Sequence, residues 1–153
     1  MLLKDEVELL RRVPLFAGVA PAKLKLLAFT SDRVNYAAGE EIFHQGDSGD
    51  AAYVILNGTA DILVDTPSGE IKVAEAEYSS IVGEIAILCE VSRTATVRAA
   101  SPLDVLRIKK DQFLKLLIDF PEITIEVMRV LADRLSHTTQ ELTLARSQLK
   151  ASE

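Results

Sequence analysis

The chain has 153 residues, 48% apolar and 26% charged, with a formal charge of −6, which suits one ordinary folded, soluble domain able to bury a core. No window approaches the 18 or so uncharged apolar residues of a membrane span, and the start Met-Leu-Leu-Lys-Asp-Glu lacks a signal peptide's basic opening and apolar middle, so a cytoplasmic chain with no membrane partner is expected. Residues 31–108 hold 13 acids against 5 bases while residues 1–30 are net +2; an acidic middle opposes direct nucleic-acid binding, and any anionic ligand must be held by local groups.

Residues 2–12 place Leu3, Val7 and Leu10 at helical spacing among charges, and Pro14 ends that helix. Residues 21–29 open on Pro21 and predict a second short helix packed through Leu24, Leu27 and Ala28. From Val34 the period changes. Arg33–Tyr36, Glu41–His44, Ala52–Leu56, Ala60–Val64 and Ile71–Ala76 read as short strands separated by Gly-, Asn- and Pro-rich turns, a pattern that predicts a sandwich or barrel.

Residues 81–98 read as a short helix and strand that carry one acid and one base. Gly83 lets a backbone pass close to a ligand, and the apolar run Ile85–Leu88 makes one helical turn whose first amides favour an anion. Glu84 can accept hydrogen bonds from a sugar hydroxyl, while Arg93, a planar permanent cation, and Thr94 can take a phosphate. A small phosphorylated sugar fits that pair. Thr94 to Val97 alternate as a strand. Cys89, in an aliphatic run with no His nearby in sequence, reads as an inert packed thiol.

Gly83, Glu84, Ala86, Arg93, Thr94 and Ala95 fall in register with the phosphate-binding cassette of the cyclic-nucleotide-binding domain family, which this stretch resembles. The resemblance implies ribose contacts at Gly83 and Glu84 and cyclic-phosphate contacts at Arg93 and Thr94, with Val82, Ile85, Ala86 and Ala95 around them. Val82 stands where the family usually has an aromatic, Ser79 where it has a glycine and Ser92 where proline is common. The loops Ala38-Gly39-Glu40, Gln45-Gly46-Asp47-Ser48-Gly49-Asp50 and Leu56-Asn57-Gly58 also look like the family's. The implied fold is mainly β with flanking helices: an antiparallel β-barrel or jelly roll over residues 31–108, helices over 1–30, and two C-terminal helices over 109–150, all one domain spanning 1–153.

After a strand at Leu103–Ile108, Asp111 offers an N-cap for a helix to Phe120, and Pro121 starts a last helix reaching about Lys150. Met128, Leu135, Leu142 and Leu149 recur every seven residues, with Thr124, Leu131, Thr138 and Ala145 at the other seam position, which predicts a homodimer through this helix. Ile123, Val127 and Val130 form a second stripe facing the domain. Arg134, Thr138 and Thr139 resemble positions in catabolite-activator-type regulators where a base faces the cassette glutamate and adjacent hydroxyls meet the adenine. A packed seam threonine, a surface threonine and a solvated arginine remain equally open readings.

The expected function is therefore a non-enzymatic sensor for cyclic AMP or cyclic GMP, cyclic AMP favoured, that signals through its last helices to a protein effector, with no cofactor. A regulatory piece of a larger transcription regulator, channel or kinase is the alternative, as is a scaffold that has lost the ligand. A metalloenzyme of the cupin kind would need clustered ligands, and His44 and His137 lie on different elements.

Overall fold

The computed structural model describes residues 3–152, with side chains from Val7 onward. The expected contact of Leu3 lies outside the side chains described. Helix α1 (Leu3–Arg11) leads through a 3-10 turn at Pro14–Phe16 to α2 (Pro21–Thr30). Each of these prolines sits at the start of a helical turn, where its missing N–H forfeits no bond.

Strands β1 (Asp32–Tyr36), β2 (Glu41–Phe43), β3 (Ala51–Asn57), β4 (Ala60–Thr66), β5 (Gly69–Ala76) and β6 (Ile81–Val82) follow. A one-turn helix α3 (Glu84–Leu88) then precedes β7 (Thr96–Ala99) and β8 (Leu103–Lys109), and α4 (Lys110–Asp119) and α5 (Pro121–Ala151) close the described chain. The strands form two antiparallel four-stranded sheets in the orders β1-β8-β3-β6 and β2-β7-β4-β5. The architecture is two sheets with flanking helices, the jelly roll and not the closed barrel of the two folds that the family resemblance implies.

Alternation along β3 explains the layering. Ala51, Tyr53 and Ile55 point into a core shared with Val97, Ala99 and Val105, between the two sheets. Ala52, Val54 and Leu56 point the other way, into a second core with Leu10, Phe16, Leu24, Leu106, Phe113, Ile123 and Val127 from the helical layer. With both faces covered, the strand reads as a continuous apolar run.

Several local expectations change. Asp111 is not the cap of α4: Lys109 takes that position in extended conformation, and Asp111 lies inside the first turn, where its charge still favours the helix dipole. Cys89 is exposed, because α3 ends just before it and the chain turns outward through Glu90, which has φ 54°. Thr94 and Ala95 precede β7. Among the described residues no helix is long and apolar enough to cross a membrane.

Candidate functional site

The site forms where β6 runs into α3. Gly83 caps α3 with φ +84°, and a Cβ there would stand 2.6 Å from Arg93 Nη1 and 3.2 Å from the Ala51 carbonyl oxygen. Only glycine meets both demands. The next residue, Glu84, is 1% exposed, and Arg93, on the loop returning to β7, is 3% exposed.

These two charges do not pair with each other. Arg93 donates through Nη1 to the Gly83 carbonyl at 2.8 Å and through Nη2 to the Ala51 carbonyl at 2.7 Å. Its guanidinium lies 4.1 Å from the centre of the Phe43 ring, and Asp50 Oδ1 approaches Nη2 to 3.9 Å. Its buried Nε has no hydrogen-bond partner among the described residues. Burial is the main influence on this guanidinium and pulls its pKa down, which the neighbouring Tyr53 and acids oppose. A buried cation with a spare donor is suited to an anion.

Glu84 is held from the far end of the chain. Arg134 of α5 donates from Nη1 to Glu84 Oε1 at 2.8 Å and from Nη2 to the Ile81 carbonyl at 2.8 Å. Burial pushes the Glu84 carboxyl above its usual range, and Arg134 works against that shift. The pair thus joins the cassette to the last helix.

A cleft of about 80 Å³ opens over these groups, and Gly83, Glu84, Arg93, Thr94 and Arg134 are among its lining. Val82 and Ala86 are buried beneath it, Ile85 and Thr94 stand exposed at its lip, and Ala95 is half-buried. The structure therefore gathers nine of the sequence-derived positions: Val82, Gly83, Glu84, Ile85, Ala86, Arg93, Thr94, Ala95 and Arg134. It leaves two outside. Thr138 and Thr139 are exposed further along α5, and the Thr139 hydroxyl donates to the Leu135 carbonyl of its own helix at 2.8 Å. Sequence reading missed the apolar wall from Phe43, Ile62 and Val97, together with the Ala51 carbonyl and Asp50. From the sequence Asp50 reads only as part of a turn. No group of three or more His, Cys, Asp or Glu side chains able to hold a metal exists among the described residues.

The family's sequence profile, described as the cyclic nucleotide-binding domain, matches residues 33–119. The chain belongs to the cyclic nucleotide-binding domain family. The catabolite activator protein of Thermus thermophilus is similar at 30% identity and a TM-score of 0.75, over 86% of this chain and 62% of that one. The sensor domain of the transcriptional regulator DNR from Pseudomonas aeruginosa is similar at 26% identity and a TM-score of 0.76, over 91% and 94% of the two chains. Lysophospholipase nte1 of Aspergillus oryzae is 31% identical over 130 residues, covering 84% of this chain and 8% of that protein. The chain thus spans a small fraction of the lysophospholipases it matches.

Proposed function

We propose that this domain binds a 3′,5′-cyclic nucleotide, cyclic AMP in preference to cyclic GMP, and acts without catalysis as a regulatory sensor. The observation that carries this reading is the convergence of two buried, mutually unpaired charges, Glu84 and Arg93, on one cleft. Glu84 and Gly83 take the ribose hydroxyl, and Arg93, with Thr94 and the Ala95 backbone, takes the phosphate. Pockets that enclose a whole small ligand run to about 300–1,000 Å³, so this cleft holds the sugar-phosphate end and the base extends beyond it. Arg134 fixes Glu84 and so ties the bound sugar to α5. Thr138 and Thr139 reach the base only by rearrangement of α5 or from the second subunit of a dimer.

Exposure of Met128, Leu135, Leu142 and Leu149 along α5 supports pairing of two copies through this helix. The output passes to a protein effector or to another part of a longer polypeptide, a reading supported by the length of the lysophospholipase relatives. The retained Glu84 and Arg93 weigh against a scaffold that has lost its ligand.

Titration calorimetry of the whole chain with cyclic AMP and cyclic GMP tests the reading, alongside Arg93→Leu. Leaving a desolvated phosphate without its cation costs about 2–5 kcal/mol, so affinity should fall at least thirtyfold. Because Arg93 also braces two backbone carbonyls, circular dichroism must show that the variant is folded. Matching isotherms for folded variant and wild type would refute the assignment, and a cyclic GMP preference would reverse the choice of base.

A further inference from the structure

The outward faces of α2 and α4 carry exposed apolar residues and lysines, and the notch between them shares no lining residue with the cleft. Helix α2 is apolar on two sides. Leu24, Leu27 and Ala28 are buried in the core, yet Leu26 and Phe29 on the opposite side are 51% and 76% exposed. A helix apolar all round is ordinarily buried all round. Helix α4 repeats the arrangement, with Phe113 and Leu116 inward and Ile118 78% exposed. The two helices lie side by side, since Lys23, Leu26 and Leu27 share one shallow notch with Lys115 and Leu116.

The charge of this surface is opposite to that of the chain's middle. The two helices hold Lys23, Lys25, Lys110 and Lys115 against Asp111 and Asp119, whereas residues 31–108 carry 13 acids against 5 bases. The two helices are thus net positive even with Asp119 in the notch, and an anionic surface complements them where the acidic middle would repel it. Pairing of two copies through it would set lysines against lysines, because a two-fold contact brings the same patch together. Phe29 and Ile118 lie outside the notch lining and are about three-quarters exposed, whereas a protein partner would more often anchor in a recessed pocket. Protruding apolar tips within a rim of long lysine stems suit a bilayer interface, in which the tips enter the acyl boundary and the ammonium groups reach headgroup phosphates.

We propose that the α2–α4 face docks peripherally on an anionic phospholipid surface, with Phe29, Leu26 and Ile118 inserted and Lys23, Lys25 and Lys115 on the headgroups. The proposal goes beyond the expectation of no membrane partner drawn from hydropathy, which speaks only to spanning segments. Repulsion of the acidic middle orients the domain with its helical layer toward the bilayer. The proposal stands independently of nucleotide binding.

The test is co-sedimentation of the full chain with phosphatidylcholine vesicles, with and without about 30% phosphatidylserine, across a range of salt. Binding is expected only to the anionic vesicles and should weaken as salt rises. Phe29→Ser with Ile118→Ser should lower partitioning at least tenfold while leaving the thermal melt unchanged, since both side chains are exposed. Lys23→Gln and Lys115→Gln should each lower it about fivefold. No sedimentation with either vesicle, or equal partitioning of the variants, overturns the proposal. So does light scattering in which the lipid-free chain self-associates and Phe29→Ser dissolves the association, because a second copy would then be what covers this face.

Discussion

Replacing Arg134 by Met removes both hydrogen bonds between α5 and the cassette while keeping a side chain of similar length. The carboxylate left behind, Glu84, has a side chain only 1% exposed, whereas that of Arg134 is 39% exposed. Removing one partner of a fully buried ion pair costs about 3–5 kcal/mol. Water already reaches the arginine side, so part of that loss is recovered and about 2 kcal/mol of stability should go at neutral pH. The cost has a direction in pH. A carboxyl whose folded pKa lies above its unfolded value keeps a proton in the native state that the unfolded chain has released, so stability falls as pH rises from the unfolded to the folded value. Burial already raises Glu84 against the pull of Arg134, and without Arg134 the folded value climbs further. The penalty of Arg134→Met should thus be large in neutral buffer and shrink in mildly acidic buffer as Glu84 takes up a proton. The chain has no Trp, so urea unfolding followed by circular dichroism is the assay, repeated in a Glu84→Gln background where most of the penalty should vanish. An equal cost at both pH values and in both backgrounds would show that Arg134 acts through packing and not through the buried charge.

Ser79 adopts φ 69°, a conformation that glycine enters without strain, so Ser79→Gly should raise stability by about 0.5–1 kcal/mol in the same unfolding assay. Gly49→Ala would place a Cβ 2.4 Å from Ala86 Cβ; a cost of about 1–3 kcal/mol and weaker nucleotide binding are expected as α3 is pushed aside, with relief on adding Ala86→Gly. Leu135→Glu with Leu142→Glu should reduce a dimeric mass in light scattering to that of a monomer, since both side chains are exposed and their loss leaves the domain core untouched. Cyclic nucleotide should tighten that dimer in wild type when Thr138 or Thr139 of the second subunit meets the base, and the dimer must then raise nucleotide affinity by the same factor; a mass indifferent to ligand would separate seam from site.

What could be read in advance follows the range of the interactions involved. The turns around Gly39, Gly46 and Gly58 were legible because each has a positive φ that marks its own position. Glu84 and Arg93 were legible because they stand only nine positions apart, on α3 and the loop that follows it. Phe43, Ile62 and Val97 were not, since they meet only through the pairing of β2, β4 and β7, and alternation in one strand does not say which strand lies beside it. The two-residue β6 was too short to show a period, yet its pairing of Val82 with Tyr53 is what sets Gly83 beside Ala51. The outward turn of Cys89 depended on where α3 stops, which the apolar run through Leu88 did not reveal. In the last helix the stripe of Ile123, Val127 and Val130 was legible and does face the domain, the first two fully buried and Val130 half-buried. The partner of Arg134 lies 50 residues away, and a family resemblance, not spacing, pointed to it.

Helix α5 has the shape of a lever arm, tied to the cassette through Arg134. Its 31 residues are buried only near the start, at Ile123 and Val127, and every position from Leu135 to Ala151 is exposed. The arm beyond Arg134 is about 26 Å long at 1.5 Å per residue, so a tilt of about 10° at the Glu84 contact moves the tip by about 4.5 Å. That displacement exceeds half the pitch of a helix. The distal leucines would then present a different register to a partner, although the same tilt about Val127, seven residues before Arg134, shifts the Glu84 contact by only about 2 Å.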